Sequence, residues 1–122
     1  MKTLLLVDDS PTVRHLERLM LGPLGFRIIE ACDGEEALCA LRAHSEIEVV
    51  LLDWNMPVLS GIDCLRRIRQ EFADRAIKVL MCTTVHDLER IVEAIDAGAD
   101  EYIMKPFTSD IIEGKLLGAG AL

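Results

Sequence analysis

The sequence predicts an α/β domain: a five-stranded parallel sheet with helices on both faces, in the order βαβαβαβαβα. Three observations carry this. Five short apolar runs recur at regular intervals along 122 residues: Thr3–Val7, Arg27–Ala31, Val49–Leu52, Lys78–Cys82 and Glu101–Met104. The first, third and fourth hardly alternate, as in Leu4-Leu5-Leu6-Val7, which is how a strand buried on both faces reads. Segments with helical spacing separate the runs, and strands that alternate with helices assemble into a parallel sheet.

Each helix has its own signals. Val13, Leu16 and Met20 fit one face of a first helix, capped by Ser10 with Pro11 at the first helical position. Gly22-Pro23 should end or kink it, because Pro23 has no N–H to donate. Asp33-Gly34 reads as a turn or helix start, and Ala37, Leu38 and Leu41 mark the second helix. Ile62, Leu65 and Ile68 mark the third, with Ser60 as cap. Leu88, Ile91, Val92 and Ile95 mark the fourth, and Gly98 supplies its stop. Ile111, Ile112 and Leu116 mark the fifth, with Thr108 or Ser109 as cap. Gly118 and Gly120 disfavour helix, so the last residues are expected to fray.

Composition narrows the function. The formal charge is −8, which argues against nucleic acid, since phosphate backbones need clustered Lys and Arg. The densest basic group, Arg66, Arg67 and Arg69, reads as a solvated helix face. No apolar run approaches the roughly 18 residues of a membrane span. Leu4–Val7 is short and runs into two aspartates, unlike a signal peptide, so a cytoplasmic location is expected. Cys32, Cys39, Cys64 and Cys82 form no C-x-x-C pair and read as reduced, small hydrophobes.

In an open α/β sheet, ligands bind beyond the carboxyl ends of the strands, where the strand order reverses. Asp8 and Asp9 follow the first run, Asp53 the third, Thr83 and Thr84 the fourth, and Lys105-Pro106 the fifth. Singly, each reads as a turn or cap. Together they bring three carboxylates, a hydroxyl and an ammonium to one edge. Clustered carboxylates raise one another's pKa unless a cation neutralises them, and Mg²⁺ suits such hard oxygen ligands.

These residues resemble the receiver domain of two-component response regulators. Leu4-Leu5-Leu6-Val7-Asp8-Asp9-Ser10 is similar to the family's acidic opening. Leu51-Leu52-Asp53-Trp54-Asn55-Met56-Pro57, then Gly61, resembles its phosphoacceptor loop. Val79-Leu80-Met81-Cys82-Thr83 resembles the strand that ends in the switch hydroxyl. Gly98 to Phe107 resembles the segment that carries the site lysine. Trp54-Asn55 and the lack of an output domain bring the chain nearest to the single-domain chemotaxis regulators.

The resemblance implies one receiver domain over residues 1–122 with a flavodoxin-like sheet in the order 2-1-3-4-5. It makes Asp53 the phosphoacceptor, with a histidine kinase or a small acyl phosphate as donor. Asp9, Asp53 and the Asn55 carbonyl would ligate Mg²⁺, and Asp8 would act through water. Lys105 would pair with a phosphoryl oxygen, Thr83 would donate to another, and Tyr102 would turn inward as Thr83 moves. The Lys105-Pro106 bond is expected to be cis. A downstream protein would be met by helix 4, strand 5 and helix 5, and the chain is expected to act as a monomer without nucleic acid or membrane.

Some residues depart from the pattern. Val85 stands where the best-known chemotaxis regulators are acidic, which implies a longer-lived phosphate or one less responsive to a phosphatase. His86 and Asp87 stand where those regulators carry lysines, which weakens the expectation of flagellar-motor binding. Other readings are a phosphorelay or cell-cycle intermediate, or a phosphate sink. A haloacid-dehalogenase-type phosphatase would need D-x-D, which Asp53-Trp54-Asn55 lacks. A flavin-binding protein would need a hydroxyl-rich loop, and Ser10-Pro11-Thr12 is thin for that.

Overall fold

The computed structural model describes residues 1–84 and 87–122. Its elements are β1 (Thr3–Val7), α1 (Pro11–Leu21), a 3₁₀ turn (Gly22–Leu24), β2 (Arg27–Ala31), α2 (Gly34–Ala43), β3 (Ile47–Asp53), α3 (Gly61–Glu71), β4 (Lys78–Thr83), α4 (Leu88–Asp96), β5 (Glu101–Met104) and α5 (Ser109–Gly118). The strands form one parallel sheet in the order β2-β1-β3-β4-β5, as the resemblance implied. Alternate residues of each strand point to opposite faces, so the sheet carries two cores. Leu5, Val7, Val50, Leu52, Val79 and Met81 pack with α2, α3 and α4. Leu4, Leu6, Val49, Leu51, Leu80 and Cys82 pack with α1 and α5. Burial of each large aliphatic side chain contributes about 1.5–3 kcal/mol, so the central strands β1, β3 and β4 anchor the fold.

Caps hold the helices where polar side chains were expected. The hydroxyls of Ser10, Ser60 and Thr108 accept from the N–H groups of Val13, Asp63 and Ile111, and the Asp33 carboxylate caps α2. Gly98 adopts φ 105° after α4, a left-handed turn open to glycine. β3 begins earlier than its apolar run suggested, because exposed Glu48 interrupts the run while Ile47 is buried.

Several expectations need correction. The inward face of α1 centres on Glu17 and Leu21, and Leu16 is 52% exposed. In α4 the buried residue is Ala94, whereas Leu88, Val92 and Ile95 are exposed. Here a small residue makes the contact with the sheet, which leaves the larger ones outside. The C-terminus does not fray at Gly118. Gly120, at φ 74°, turns the chain back, the Ala121 N–H donates to the Leu116 carbonyl, and Ala119 and Ala121 join the core. Finally, Arg69 is not a solvated charge: it donates to the carbonyls of Ile77 and Gly98 and to Asp100, tying α3 to both ends of the β4–α4 unit. Ile111, on α5, also faces outward at 47% exposure, beside buried Ile112 and Leu116. Of the cysteines, Cys64 and Cys82 are buried as small hydrophobes, Cys32 is half-buried and Cys39 lies on the surface.

Candidate functional site

The parallel register builds the site. Val7 pairs with Leu52 and Asp53 with Cys82, so the residue after β1 and the last residue of β3 reach the same level. β1 neighbours β2 on one side and β3 on the other, which makes their shared edge the point where strand order reverses. Asp8, Asp9 and Asp53 bring carboxylate oxygens within 4.8 Å of one another there. Asp8 and Asp53 are buried, while Asp9 is open to solvent. Lys105, just past β5, pairs through Nζ with Asp8 and lies 3.2 Å from Asp53 Oδ1. Its backbone N–H donates to the Thr83 carbonyl at 2.8 Å, and the Lys105-Pro106 bond is cis. The Asp8 carboxylate also accepts from the Ser10 N–H at 2.9 Å.

Electrostatics follows from this crowding. Burial pushes the Asp53 carboxyl above its ordinary range, Lys105 opposes the shift, and Asp8 and Asp9 add to it. Burial works against the charge of Lys105, but the hydrogen bond with Asp8 and the charge of Asp53 more than offset it, and its ammonium is held above the usual range. One ammonium cannot neutralise three carboxylates. An all-oxygen, anionic, half-open set of this kind fits a hard divalent cation such as Mg²⁺.

One ionisable residue escaped the sequence reading. Glu17 is 4% exposed, and its Oε2 is buried without a hydrogen-bond partner among the described residues. Its spacing from Val13 and Leu21, one turn either way, was the available signal. Burial raises its pKa from 4.5 to about 7, with Lys105 opposing and Asp8 and Asp53 adding. The folded state therefore binds this proton more tightly than the unfolded chain. The resulting stability is present in full below pH 4.5 and is lost as pH rises through 7. A shift of this size amounts to about 3 kcal/mol before neighbouring groups relax. Glu17→Gln is expected to be more stable than the parent by about 2 kcal/mol at pH 8 and nearly equal at pH 5. Urea denaturation at both pH values, with chelator present, checks this.

The loop after Asp53 is closed by backbone contacts. The Trp54 N–H donates to the Cys82 carbonyl at 2.9 Å, and the Gly61 N–H donates to the Trp54 carbonyl at 2.8 Å. Trp54 is buried, with the Arg90 guanidinium 5.2 Å from its ring centroid. Val58 takes φ 71° while 79% exposed. A β-branched residue pays for this left-handed conformation without compensating packing. Val58→Asn is expected to stabilise the protein by about 1 kcal/mol, since asparagine tolerates that region. A melting temperature no higher than the parent's would contradict it.

The remaining site residues are placed as follows. Thr83 ends β4 and is fully buried. Tyr102 on β5 is 8% exposed, and burial raises its hydroxyl pKa. Asn55 is exposed two residues past Asp53, and Asp87 caps α4 by accepting from the Glu89 N–H. Val85 and His86, with the expectations attached to them, lie outside the described residues.

Residues 4–116 match the family model of the response regulator receiver domain. The chain belongs to the response regulator receiver family. This receiver is 37% identical over 114 residues to chemotaxis protein CheY1 of Helicobacter pylori, covering 93% of this chain and 92% of that protein. It is 35% identical over 122 residues to the chemotaxis protein CheY homolog of Campylobacter jejuni, covering 97% and 94% respectively. Its backbone superposes on the solved structure of chemotaxis protein CheY4 of Vibrio cholerae with a TM-score of 0.88 at 30% identity, covering 96% of this receiver and 97% of that chain. It is therefore a two-component response regulator, homologous to the CheY chemotaxis regulators. Among the described residues, no helix is long and apolar enough to cross a membrane.

Proposed function

We propose that Asp53 is the phosphoacceptor of this receiver, loaded by a histidine kinase or a small acyl phosphate, and that the phosphorylated form changes its affinity for a partner protein. The observation that carries this is the convergence of Asp8, Asp9, Asp53 and Lys105 at the strand-order reversal. In the transfer, an Asp53 carboxylate oxygen forms the new O–P bond as the donor's bond to phosphorus breaks: N–P in a kinase phosphohistidine, O–P in an acyl phosphate, whose carboxylate then leaves with the electron pair. With phosphohistidine the electron pair leaves on the imidazole nitrogen, which takes up a proton. Lys105 transfers its ammonium from the carboxylates to a phosphoryl oxygen, and the Thr83 hydroxyl donates to another. The protein assists its own loading and unloading and turns over no separate substrate.

Asp9, Asp53 and the Asn55 carbonyl would hold Mg²⁺, with Asp8 behind them in an outer layer. When bound, the ion would offset the negative charge on the transferring group. Phosphorylation adds about −1.5 to −2 charges at the buried end of β3, drawing Lys105 and Thr83 toward Asp53. A shift from 1:99 to 99:1 needs about 5.5 kcal/mol, and charge-assisted hydrogen bonds of about 1.5–3 kcal/mol each supply much of it. Tyr102 on β5 and the adjoining faces of α4 and α5 form the surface that reads the change. Chemotaxis is the favoured pathway because the relatives above carry that role. A relay or sink role is the second reading, favoured by Asp87, an exposed acid at the start of α4. The protein acts in the cytoplasm, as a monomer, without nucleic acid.

Mass spectrometry after incubation with acetyl phosphate and Mg²⁺ tests the proposal. One phosphoryl group on Asp53, dependent on the metal and lost in hydroxylamine, is expected. Continuous phosphate release without an adduct would instead indicate a phosphatase.

A further inference from the structure

A groove of about 550 Å³ runs along α4 on the side turned toward α3. Leu88, Val92 and Ala97 give it apolar surface, and Arg66 of α3 closes its far side. Leu88 and Val92 are one helical turn apart and are 74% and 49% exposed. They lie outside because α4 rests on the sheet through Ala94. Two apolar side chains in the open are ordinary, but their surroundings here are not. Glu89, Glu93 and Asp96, spaced four and three residues apart, line the same groove as an acidic row beside the apolar one.

The cation in this lining is already engaged. Arg66 donates to Asp63 at 3.2 Å and to Glu93 at 3.0 Å. Glu89 and Asp96 are exposed and make no salt bridge among the described residues. The rim therefore keeps a net negative charge, and Asp87 at the start of α4 adds to it. This combination selects the occupant. A second copy of the chain would set one acidic row against another, and the formal charge of −8 adds to that repulsion. An anionic lipid surface or a nucleic acid would be repelled likewise. The complementary surface is an apolar stripe flanked by Lys or Arg, and a groove that follows one helix takes a second helix along it.

We propose that the α3–α4 groove is the docking site for a basic amphipathic helix of a partner protein. Its apolar residues cover Leu88 and Val92, and its Lys or Arg side chains pair with Glu89 and Asp96. The groove includes no residue of β5 or α5, so it is separate from the surface assigned above to reading phosphorylation. Docking requires no phosphoryl group on Asp53 and stands or falls apart from the acceptor assignment.

The probes are two amidated helical peptides, one of leucine and lysine with the leucines on a single face, the other with glutamate in place of every lysine. Each is titrated into the full isotope-labelled chain at physiological salt, without metal or phosphodonor, and followed by amide chemical shifts. The lysine peptide is expected to shift the amides of Arg66, Leu88, Glu89, Val92 and Asp96 in a saturable way, and the glutamate peptide to leave them unmoved. Val92→Glu, which removes apolar surface and adds an acid, should weaken the lysine peptide about tenfold. Glu89→Lys combined with Asp96→Lys should weaken it at least about tenfold and admit the glutamate peptide. All three positions are exposed, so these variants keep the fold. Glu46→Lys with Glu48→Lys, exposed acids flanking Ile47 at the start of β3, makes the same change in net charge and should weaken the lysine peptide less than about threefold. Equal losses in the two charge reversals would overturn the proposal, because the peptide would then be reading net charge alone. Undiminished binding by Val92→Glu would overturn it too, as would shifts gathered on Tyr102 and α5. Groove amides that move when the chain alone is diluted would assign the groove to a second copy instead.

Discussion

Asp53→Asn is expected to take up no phosphoryl group from acetyl phosphate, a fall in rate of at least about a thousandfold, or more than about 4 kcal/mol of barrier. The amide oxygen that replaces the carboxylate is a poor nucleophile and cannot form a stable acyl phosphate. The substitution should not damage the fold. Asp53 is buried within 4.8 Å of two other carboxylates, and burial holds its pKa above the ordinary range. Removing that charge relieves repulsion, and Lys105 keeps its partner Asp8. The variant should therefore melt at or above the parent's temperature while binding Mg²⁺ more weakly. Mass spectrometry of the intact protein, beside a thermal melt, reads both effects. A phosphoryl group persisting on Asp8 or Asp9 would refute the assignment of the acceptor.

Gly61→Ala is expected to cost about 3 kcal/mol or more of stability and to impair loading of Asp53. A Cβ at residue 61 would strike the Asp53 carbonyl oxygen and stand 2.7 Å from Trp54 Cα and 2.9 Å from the Asp53 carbonyl carbon. These are backbone atoms of Asp53, at the end of β3, and of the residue after it, so no rotamer change relieves the contact. The end of β3 must move, or the start of α3 must lift away and lose its hydrogen bond to the Trp54 carbonyl. Gly114 on α5 is the control, since nothing lies within 4 Å of its would-be Cβ. Gly114→Ala should gain about 0.5–1 kcal/mol from helix propensity alone. Urea denaturation of the two variants side by side separates close approach from the general effect of adding a methyl group. Equal stabilities would show that the Gly61 contact relaxes freely.

The strands were legible because each apolar side chain is desolvated on its own account, and three central strands buried on both faces leave three continuous runs. The acids were legible as a set because a parallel sheet delivers the residue after every strand to one edge. Helix orientation was not. In α1, Val13, Leu16 and Met20 fit a helical stripe as well as Glu17 and Leu21 do, and the sheet selected the second pair. In α4, four branched residues suggested a buried face, yet the helix rests on Ala94. Periodicity reports that a helix has an apolar side, but the packing of the neighbouring elements sets the angle at which it docks.

By itself, the order of residues determined the alternation of strand and helix, the caps, and the arrival of Asp8, Asp9, Asp53, Thr83 and Lys105 at one edge. These depend on interactions within a few residues of each position. Only the tertiary structure decided which side chains meet across the chain. Lys105 bonds to Asp8 from 97 positions away, Arg69 caps carbonyls from other elements, Gly61 lies against β3, and Glu17 turns inward with no hydrogen bond to its Oε2 among the described residues. Contacts of that kind arise when two separately stable elements are pressed together, and local spacing carries no record of the distance at which they come to rest.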